Sequence, residues 1–273
     1  MIPTLSQLEE ELGFSLELVS EGGVKLVVPK LSDYAVDGSY VPSRAPVFYN
    51  PLMALCRDVG VALAEALSAF GLQKLLVCEP LTGAGARGIR YCVEAENVEQ
   101  AVLGDINPRA VRLAEVNASI NSASATVVRE EANSLMARMP KAFGRPYLVD
   151  VDPFGSPATF VENAIRCLSN GGVIALTATD LAPLCGVYPK ACRRKYGAWS
   201  LRTKYCHELA IRILMGFVCQ TAARLERGVV ALYCHSTAHY ARVYMRVFRG
   251  AKRADSSLEN LAYIIHCFKC LHS

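Results

Sequence analysis

The 273-residue sequence has no apolar stretch of about 20 residues, the length that a membrane-spanning helix requires. Its start, MIPTLSQLEEELGF, is acidic and amphipathic, and it lacks the basic residues and the apolar core of a secretory signal peptide. The sequence also has no internal repeat and no low-complexity segment, which argues against solenoid and fibrous architectures. These absences predict a cytoplasmic globular protein with no membrane contact.

The 11 cysteines do not have the arrangement of a disulfide framework. Several stand in apolar runs and are expected to be reduced core thiols: Cys78, Cys92, Cys167, Cys219 and Cys234. One close pair, Cys267 and Cys270, has the spacing of half a tetrahedral zinc site, and no second close pair exists in the sequence. We therefore predict a zinc half-site that is filled only if further ligands are supplied, with His266 and His272 as the nearby candidates.

Positive charge is concentrated in residues 186–253. This segment holds 14 Lys and Arg residues against two acids, whereas residues 1–40 hold seven acids against two lysines. The basic segment is a candidate surface for the phosphates of a nucleic acid. The alternative, a solvated basic face that binds nothing, stays open at this point.

The order of the apolar segments predicts an α/β fold. Residues 4–12 have a helical pattern, and two short apolar runs around Gly22-Gly23 predict a hairpin, so residues 1–44 should form a small N-terminal cap. In residues 45–250, short β-branched runs alternate with helical patterns, as in a doubly wound parallel sheet. The last two runs of this region are too close for a crossover helix, so they should add an antiparallel edge strand to the mostly parallel sheet.

A glycine-rich turn follows the first predicted strand of this sheet and opens a helix. Gly83, Gly85 and Gly88 would let the backbone approach a ligand closely. The spacing also fits NAD enzymes, but there the glycines come directly after the strand, whereas here Glu79 and a three-residue spacer precede them. A carboxylate such as Glu79 suits S-adenosylmethionine, which carries an ammonium and a sulfonium but no phosphate.

Two further acids follow the next two predicted strands. Asp105, at the end of the second strand, can accept hydrogen bonds from both ribose hydroxyls of such a cofactor. Its alternative role is to cap the helix that begins near Pro108. Glu131 follows the third strand, where such folds place a polar group against adenine. Taken alone, Glu131 would indicate only a solvated acidic turn.

The segment from Asp152 to Gly155 lies at the carboxyl end of the fourth predicted strand, in the crevice where open sheets bind ligands. The exocyclic amine of a purine has its lone pair delocalised into the ring, so an enzyme must hold it, aim it and take a proton from it. Asp152 can accept from the amine, the Pro153 carbonyl can share that task, and Phe154 can stack on the base. The alternative is a strand-to-helix turn with a buried Phe.

These motifs, with several others, closely resemble the tRNA guanine-N2 dimethyltransferase family over nearly the whole chain. The segments that carry the resemblance are, in order, VFYNP (47–51), RD (57–58), RGIRY (87–91), DINP (105–108), DPFGSP (152–157), TATDLAPLCGVYPK (177–190), LRTKYCHE (201–208), YCHST (233–237) and HCFKC (266–270).

The resemblance implies a class I methyltransferase fold, which is Rossmann-like, with S-adenosylmethionine as cofactor and tRNA as partner. It implies transfer of methyl groups to N2 of guanosine 26, giving N2-methyl- and N2,N2-dimethylguanosine. It assigns Asp152 to the amine and places Phe48 and Phe154 on the two faces of the base. The cofactor would be lined by Arg57, Arg87, Asp105, Glu131 and Ala132.

The sequence departs from the family pattern at three places. Glu131 stands where the family usually has Asp, and Gly83-Ala84 replaces a small-residue pair, so the contacts on the adenine side are expected to shift. Family members continue into a C-terminal domain, so residues 251–273 are expected to be the start of a truncated one. Cofactor binding should then persist while tRNA binding is weak.

Two other functions stay open on the sequence. An NAD-dependent oxidoreductase would be stabilised against heat by NAD and not by S-adenosylmethionine. A catalytically silent RNA-binding module would transfer no methyl group from labelled cofactor.

Overall fold

The structure, a computed structural model, describes residues 2–237 and 239–272. Its N-terminal part comprises helix α1 (Leu5–Leu12), the hairpin strands β1 (Leu16–Glu21) and β2 (Val24–Pro29), and the short strands β3 (Ala35–Val36) and β4 (Ser39–Tyr40). Single 3-10 turns occupy Leu31–Tyr34 and Pro42–Arg44. The predicted helix and hairpin of the cap are therefore confirmed.

The main sheet has seven strands in the described part of the chain. They are β5 (Leu75–Glu79), β6 (Val98–Asp105), β7 (Ala125–Arg129), β8 (Leu148–Val151), β9 (Val173–Ala178), β10 (Arg227–Thr237) and β11 (Tyr240–Arg249). Their order across the sheet is β10-β11-β9-β8-β5-β6-β7, and β5 to β9 pair in parallel. The predicted mostly parallel α/β fold of a class I methyltransferase is confirmed.

Further helices connect and cover these strands. They are α2 (Ala54–Ala66), α3 (Ala86–Glu94), α4 (Pro108–Ile120), α5 (Ala132–Ala142), α6 (Val161–Cys167), α7 (Leu181–Leu184), α8 (Pro189–Tyr196), α9 (Cys206–Ala223) and α10 (Ala251–Glu259). Asn50 caps a 3-10 turn that leads into α2, and Leu52 on this turn is exposed. None of the helices among the described residues is long and apolar enough to cross a membrane.

The antiparallel strand is β11, and it lies one position in from the sheet edge. It pairs antiparallel with both β9 and β10, so β10 is the edge strand and runs in the same direction as β9. Because β11 lies between two strands it is buried along most of its length, whereas β10 has many exposed positions. The predicted antiparallel pair that closes the mostly parallel sheet at one edge is confirmed.

The N-terminal hairpin shares its core with the sheet. Leu26 and Val28 of β2 are buried in the same apolar cluster as Leu75 of β5. The Asn117 side chain of α4 joins the two parts: its Oδ1 accepts from the Val27 N–H at 2.7 Å, and its Nδ2 donates to the Val27 carbonyl. The cap is therefore held by specific polar contacts as well as by apolar burial.

The predicted core cysteines are mostly inside. Cys78, Cys167 and Cys219 are buried, and Cys92 is partly buried. Cys234 is exposed, so its assignment to the core was wrong. It lies on the edge strand β10, whose outer positions the apolar pattern alone does not distinguish from inner ones.

Candidate active site

Five of the predicted site residues line one cavity of about 580 Å³ at the carboxyl ends of the parallel strands. They are Phe48, Gly83, Asp105, Asp152 and Phe154. The strand order reverses between β5 and β8, which is where open α/β sheets form a ligand crevice. Residues 42–50, which lead from the N-terminal part towards α2, also line this cavity.

The glycine-rich turn between β5 and α3 holds its neighbours very close. Gly83 has φ 55°, and a Cβ there would lie 2.7 Å from the Phe48 carbonyl oxygen. A Cβ at Gly88 would lie 2.2 Å from Leu103 Cδ2, so only glycine lets α3 pack this closely on β6. Gly85 has φ 84° and forms the N-cap of α3. The predicted turn and helix are both confirmed.

Asp105 is held at the end of β6 with its carboxylate at the cavity. Its Oδ2 accepts from the Gly83 N–H and its Oδ1 from the Asn107 N–H, both at 2.9 Å. Burial raises its pKa, although these N–H groups oppose the shift. The alternative role as a helix cap was wrong, because Asn107 caps α4 by accepting from the Arg109 N–H.

Asp152 forms a hydrogen-bonded ion pair with Arg87, which is buried on α3. The same guanidinium has its Nε 3.7 Å from Glu79 Oε1 and 3.6 Å from Asp150 Oδ1. Burial raises the pKa of the Glu79 carboxyl to about 8, while Arg87 and the Thr82 hydroxyl oppose the shift. Arg87 therefore lies among three carboxyl groups, each at or near the carboxyl end of β5 or β8.

A fully buried ion pair lies behind Asp152. Asp150 Oδ2 accepts from Arg242 Nη2 of β11 at 2.5 Å and from the Tyr91 hydroxyl at 2.6 Å. Burial opposes ionisation of Asp150, but Arg242 and Arg87 outweigh it and lower its pKa. Sequence reasoning missed this pairing. An acid two residues before Asp152 in a buried strand is the only local signal, and it does not identify the partner.

Phe48 and Phe154 meet at the mouth of the cavity. Their ring centroids are 4.8 Å apart with an interplanar angle of 83°, an edge-to-face contact. A base held between two rings needs about 7 Å, twice the closest carbon approach. As they stand, the two rings leave no room for a base between them, and the sandwich stays a prediction. Phe154 is 69% exposed, so the alternative of a buried Phe was wrong.

Arg57 is bound to the N-terminal hairpin. It donates to Glu21 through Nε at 2.6 Å and through Nη2 at 2.5 Å, and to the Asn50 carbonyl. It also lines a small cavity of about 30 Å³ together with Glu79 and Arg87. Glu21, which fixes the Arg57 side chain, was not singled out from the sequence because it is 36 residues away.

Glu131 and Ala132 stand apart from the other predicted cofactor residues. The Glu131 carboxylate caps α5 by accepting from the Asn133 and Ser134 N–H groups, and these bonds lower its pKa. Ala132 is buried at the first position of that helix. Within the part of the chain that the structure describes, neither residue lines the 580 Å³ cavity.

Only some of the basic side chains in residues 186–253 are exposed. Arg242 is fully buried, so its inclusion as a phosphate ligand was wrong. Arg227 and Arg246 are partly buried and donate to the backbone carbonyls of Ile165 and Gly171. Long basic side chains can face inward where a buried acid or carbonyl receives them, and composition does not reveal this.

Helix α8 carries the clearest exposed basic group. Arg193, Arg194 and Lys195 are all exposed. The Arg193 guanidinium lies 5.2 Å from the Trp199 ring centroid, and Lys195 Nζ lies 2.8 Å from Asp180 Oδ2. This arrangement of cations beside an exposed aromatic ring is suited to contact with a nucleic acid.

The two predicted zinc ligands near the C-terminal end of the described chain are exposed. Hydrogen bonds from the Cys270 and Lys269 N–H groups lower the pKa of Cys267. His266 Nδ1 lies 3.0 Å from the Tyr205 hydroxyl. Among the described residues, no third potential ligand gathers with this cysteine pair.

The chain matches a known protein family over most of its length. Residues 22–273 match the family described as N2,N2-dimethylguanosine tRNA methyltransferase. The tRNA (guanine(26)-N(2))-dimethyltransferase of Methanothermobacter thermautotrophicus is 44% identical over 93% of this chain, and that of Saccharolobus solfataricus is 38% identical over 93%. The chain spans 64% and 65% of the length of these relatives.

Two solved structures resemble this chain to different degrees. Trm1 from Pyrococcus horikoshii in complex with S-adenosyl-L-methionine superposes with a TM-score of 0.82 at 35% identity, over 94% of this chain and 68% of that one. A Methanocaldococcus jannaschii tRNA m1G37 methyltransferase gives a TM-score of 0.51 at 15% identity, over 87% of this chain and 57% of that one, a likeness of fold alone.

Proposed function

The chain belongs to the N2,N2-dimethylguanosine tRNA methyltransferase family, and we propose that it transfers methyl groups from S-adenosylmethionine to N2 of guanosine 26 in tRNA. The products would be N2-methyl- and N2,N2-dimethylguanosine. The enzyme would thus be a tRNA guanine-N2 dimethyltransferase that acts in the cytoplasm.

One observation carries this proposal. The cavity brings together a carboxylate suited to a ribose, Asp105, and a carboxylate suited to an amine, Asp152, beside the exposed aromatic ring of Phe154. A nucleoside cofactor and a purine base need these three groups in one crevice. An NAD enzyme has no comparable use for an Asp-Pro-Phe turn.

The residues of the cavity fit S-adenosylmethionine. Gly83 has no Cβ, and a Cβ there would fill the space beside the Phe48 carbonyl oxygen. Asp105 lines the cavity next to this space. The carboxyl group of Glu79 and the guanidinium of Arg57 line the adjoining small cavity, where they would meet an amino acid's ammonium and carboxylate. When bound, the cofactor would supply an electrophilic methyl group on its sulfonium.

The chain's own residues would handle the base. A flipped guanine would be received by Phe154 and Phe48, and stacking is worth about 1–3 kcal/mol per base. Asp152 Oδ and the Pro153 carbonyl would accept hydrogen bonds from N2 and aim its lone pair. The ion pair with Arg87 holds the Asp152 carboxylate in place, so that Asp152 can take the proton that N2 loses.

The deciding experiment is mass spectrometry of nucleosides from unmodified tRNA treated with the protein and S-adenosylmethionine. We expect N2-methyl- and N2,N2-dimethylguanosine, with a guanosine 26→adenosine transcript as the matched control. Stabilisation of the protein by NAD alone would support the oxidoreductase alternative instead. Binding of tRNA without any methyl transfer would support a silent RNA-binding module.

We also propose a separate role for each of three parts of the chain. Residues 45–250 would form the catalytic domain, residues 1–44 would act as a cap that holds Arg57 through Glu21, and residues 251–273 would begin a further domain. Cys267 and Cys270 would contribute half of a zinc site there.

A further inference from the structure

Three soft metal ligands from two separate segments meet beside α9. Cys185 follows α7 directly, and Cys206 and His207 are the first two residues of α9. Their ligand atoms all lie within 4.8 Å of one another, and Cys185 Sγ is 4.0 Å from His207 Nδ1. Neither the proposed methyl transfer nor the Cys267–Cys270 pair uses this cluster.

The spacing is close to that of a tetrahedral zinc site. With Zn–S bonds of about 2.3 Å and Zn–N bonds of about 2.0–2.1 Å, neighbouring ligand atoms lie about 3.5–3.8 Å apart. The Cys185–His207 separation of 4.0 Å would therefore have to close by a few tenths of an ångström, and a pair at the 4.8 Å limit by about 1 Å. Two thiolates and one imidazole are also a donor set that is typical of zinc sites in proteins.

The surroundings of the cluster supply a further donor. Cys185 is buried, and Cys206 beside it is partly buried. Ser236 adds an oxygen: its hydroxyl lies 3.3 Å from His207 Nδ1 and can donate instead to the Tyr240 carbonyl at 3.2 Å.

We propose that Cys185, Cys206 and His207 bind a zinc ion, with an oxygen ligand, water or the Ser236 hydroxyl, at the fourth position. The ion would join the end of α7 to the start of α9 and to β10. The ion would thereby fix the chain segment that runs from Thr179 to the basic helix α8. Thr179 lines the 580 Å³ cavity. The role is structural, and it does not depend on the proposed methyl transfer.

Metal analysis of the full chain tests the proposal. After chelator treatment and titration with zinc, we expect tight binding that Cys185→Ser and Cys206→Ser each weaken by at least about tenfold. The double variant Cys267→Ser/Cys270→Ser, which removes the exposed pair, should keep this binding. Cobalt in place of zinc should give thiolate-to-metal charge-transfer absorption that only the first two variants lose.

A measurement on the unmodified chain guards against variants that fail to fold. Zinc should slow alkylation of Cys206 by at least about tenfold, read by peptide mass spectrometry. Cys234, which is also accessible, is the internal control and should react at an unchanged rate. The proposal is overturned if wild type binds no zinc or cobalt, if only the Cys267→Ser/Cys270→Ser variant loses the metal, or if Cys206 is not protected.

Discussion

Arg87 of α3 pairs with Asp152, the residue that would receive the amine, and its Nε lies 3.6 Å from Asp150 two residues earlier. One buried guanidinium thus contacts the proposed catalytic carboxylate and the fully buried Asp150–Arg242 pair behind it. The charge state of the site is therefore coupled to a group in the core.

Asp152→Ala should abolish methyl transfer while leaving the affinity for S-adenosylmethionine within a few-fold. Asp152 faces the amine, and Asp105 and Glu79 would still meet the cofactor. Transfer from labelled cofactor to tRNA, with calorimetry for cofactor binding, measures both. Asp152→Asn, which keeps the size of the side chain but cannot take a proton, should be equally inactive. Near-normal turnover in either variant would remove Asp152 from the proposed chemistry.

Asp105→Ala should weaken S-adenosylmethionine binding by about 1.5–3 kcal/mol, the scale of hydrogen bonds to a charged group. It should also loosen the glycine turn, since Asp105 accepts from the Gly83 N–H. Thr4→Ala is the control, because it removes a cap of α1 and Thr4 does not line the cavity. Calorimetry that gives equal affinities for both variants and wild type would contradict the role of Asp105.

Arg242→Met should lower the free energy of unfolding by about 3–5 kcal/mol, because Asp150 would be left buried without its principal cation. The exposed Arg249, on the same strand, provides the matched control, and Arg249→Met should change stability by less than about 0.5 kcal/mol. Urea denaturation at neutral pH measures both. Equal effects of the two variants would show that the buried pair has no special role.

Glu79 should make stability fall as pH rises from about 4.5 to about 8. Burial raises its pKa in the folded chain to about 8, so between these values the folded state holds a proton that the unfolded state has lost. Denaturation curves of wild type and Glu79→Gln across this range isolate the effect, since the variant cannot ionise. If the two free energies of unfolding change in parallel with pH, the carboxyl group ionises equally in both states.

The affinity for tRNA should fall steeply with salt. Replacing Arg193, Arg194 and Lys195 with Ala should flatten the log–log slope by about 0.7–0.9 for each phosphate that the variant no longer neutralises. Lys141→Ala, on the last turn of α5, serves as the control and should leave the slope unchanged. An unchanged slope in the triple variant would assign α8 to a solvated face.

Much of the site could be predicted because its elements are local in sequence. Asp105 and Asp152 follow apolar strands, and the carboxyl ends of parallel strands meet at one edge of a sheet, so their convergence follows from the fold class. Gly83 and Gly85 mark a turn because the constraint, a positive φ, acts on the backbone of the residue itself.

Other features depended on the tertiary structure. Asp150 and Arg242 are 92 residues apart, Arg57 finds Glu21 across 36, and Cys185 approaches His207 across 22. No periodicity links such pairs, because each contact depends on which strands become neighbours and which face is buried. The contact of Phe48 with Phe154 is likewise a matter of packing. The sequence by itself determined which residue types stand at the ends of the strands. Only the folded chain decided which charges these residues meet, because ion pairs in a core depend on distance and burial and not on order along the chain.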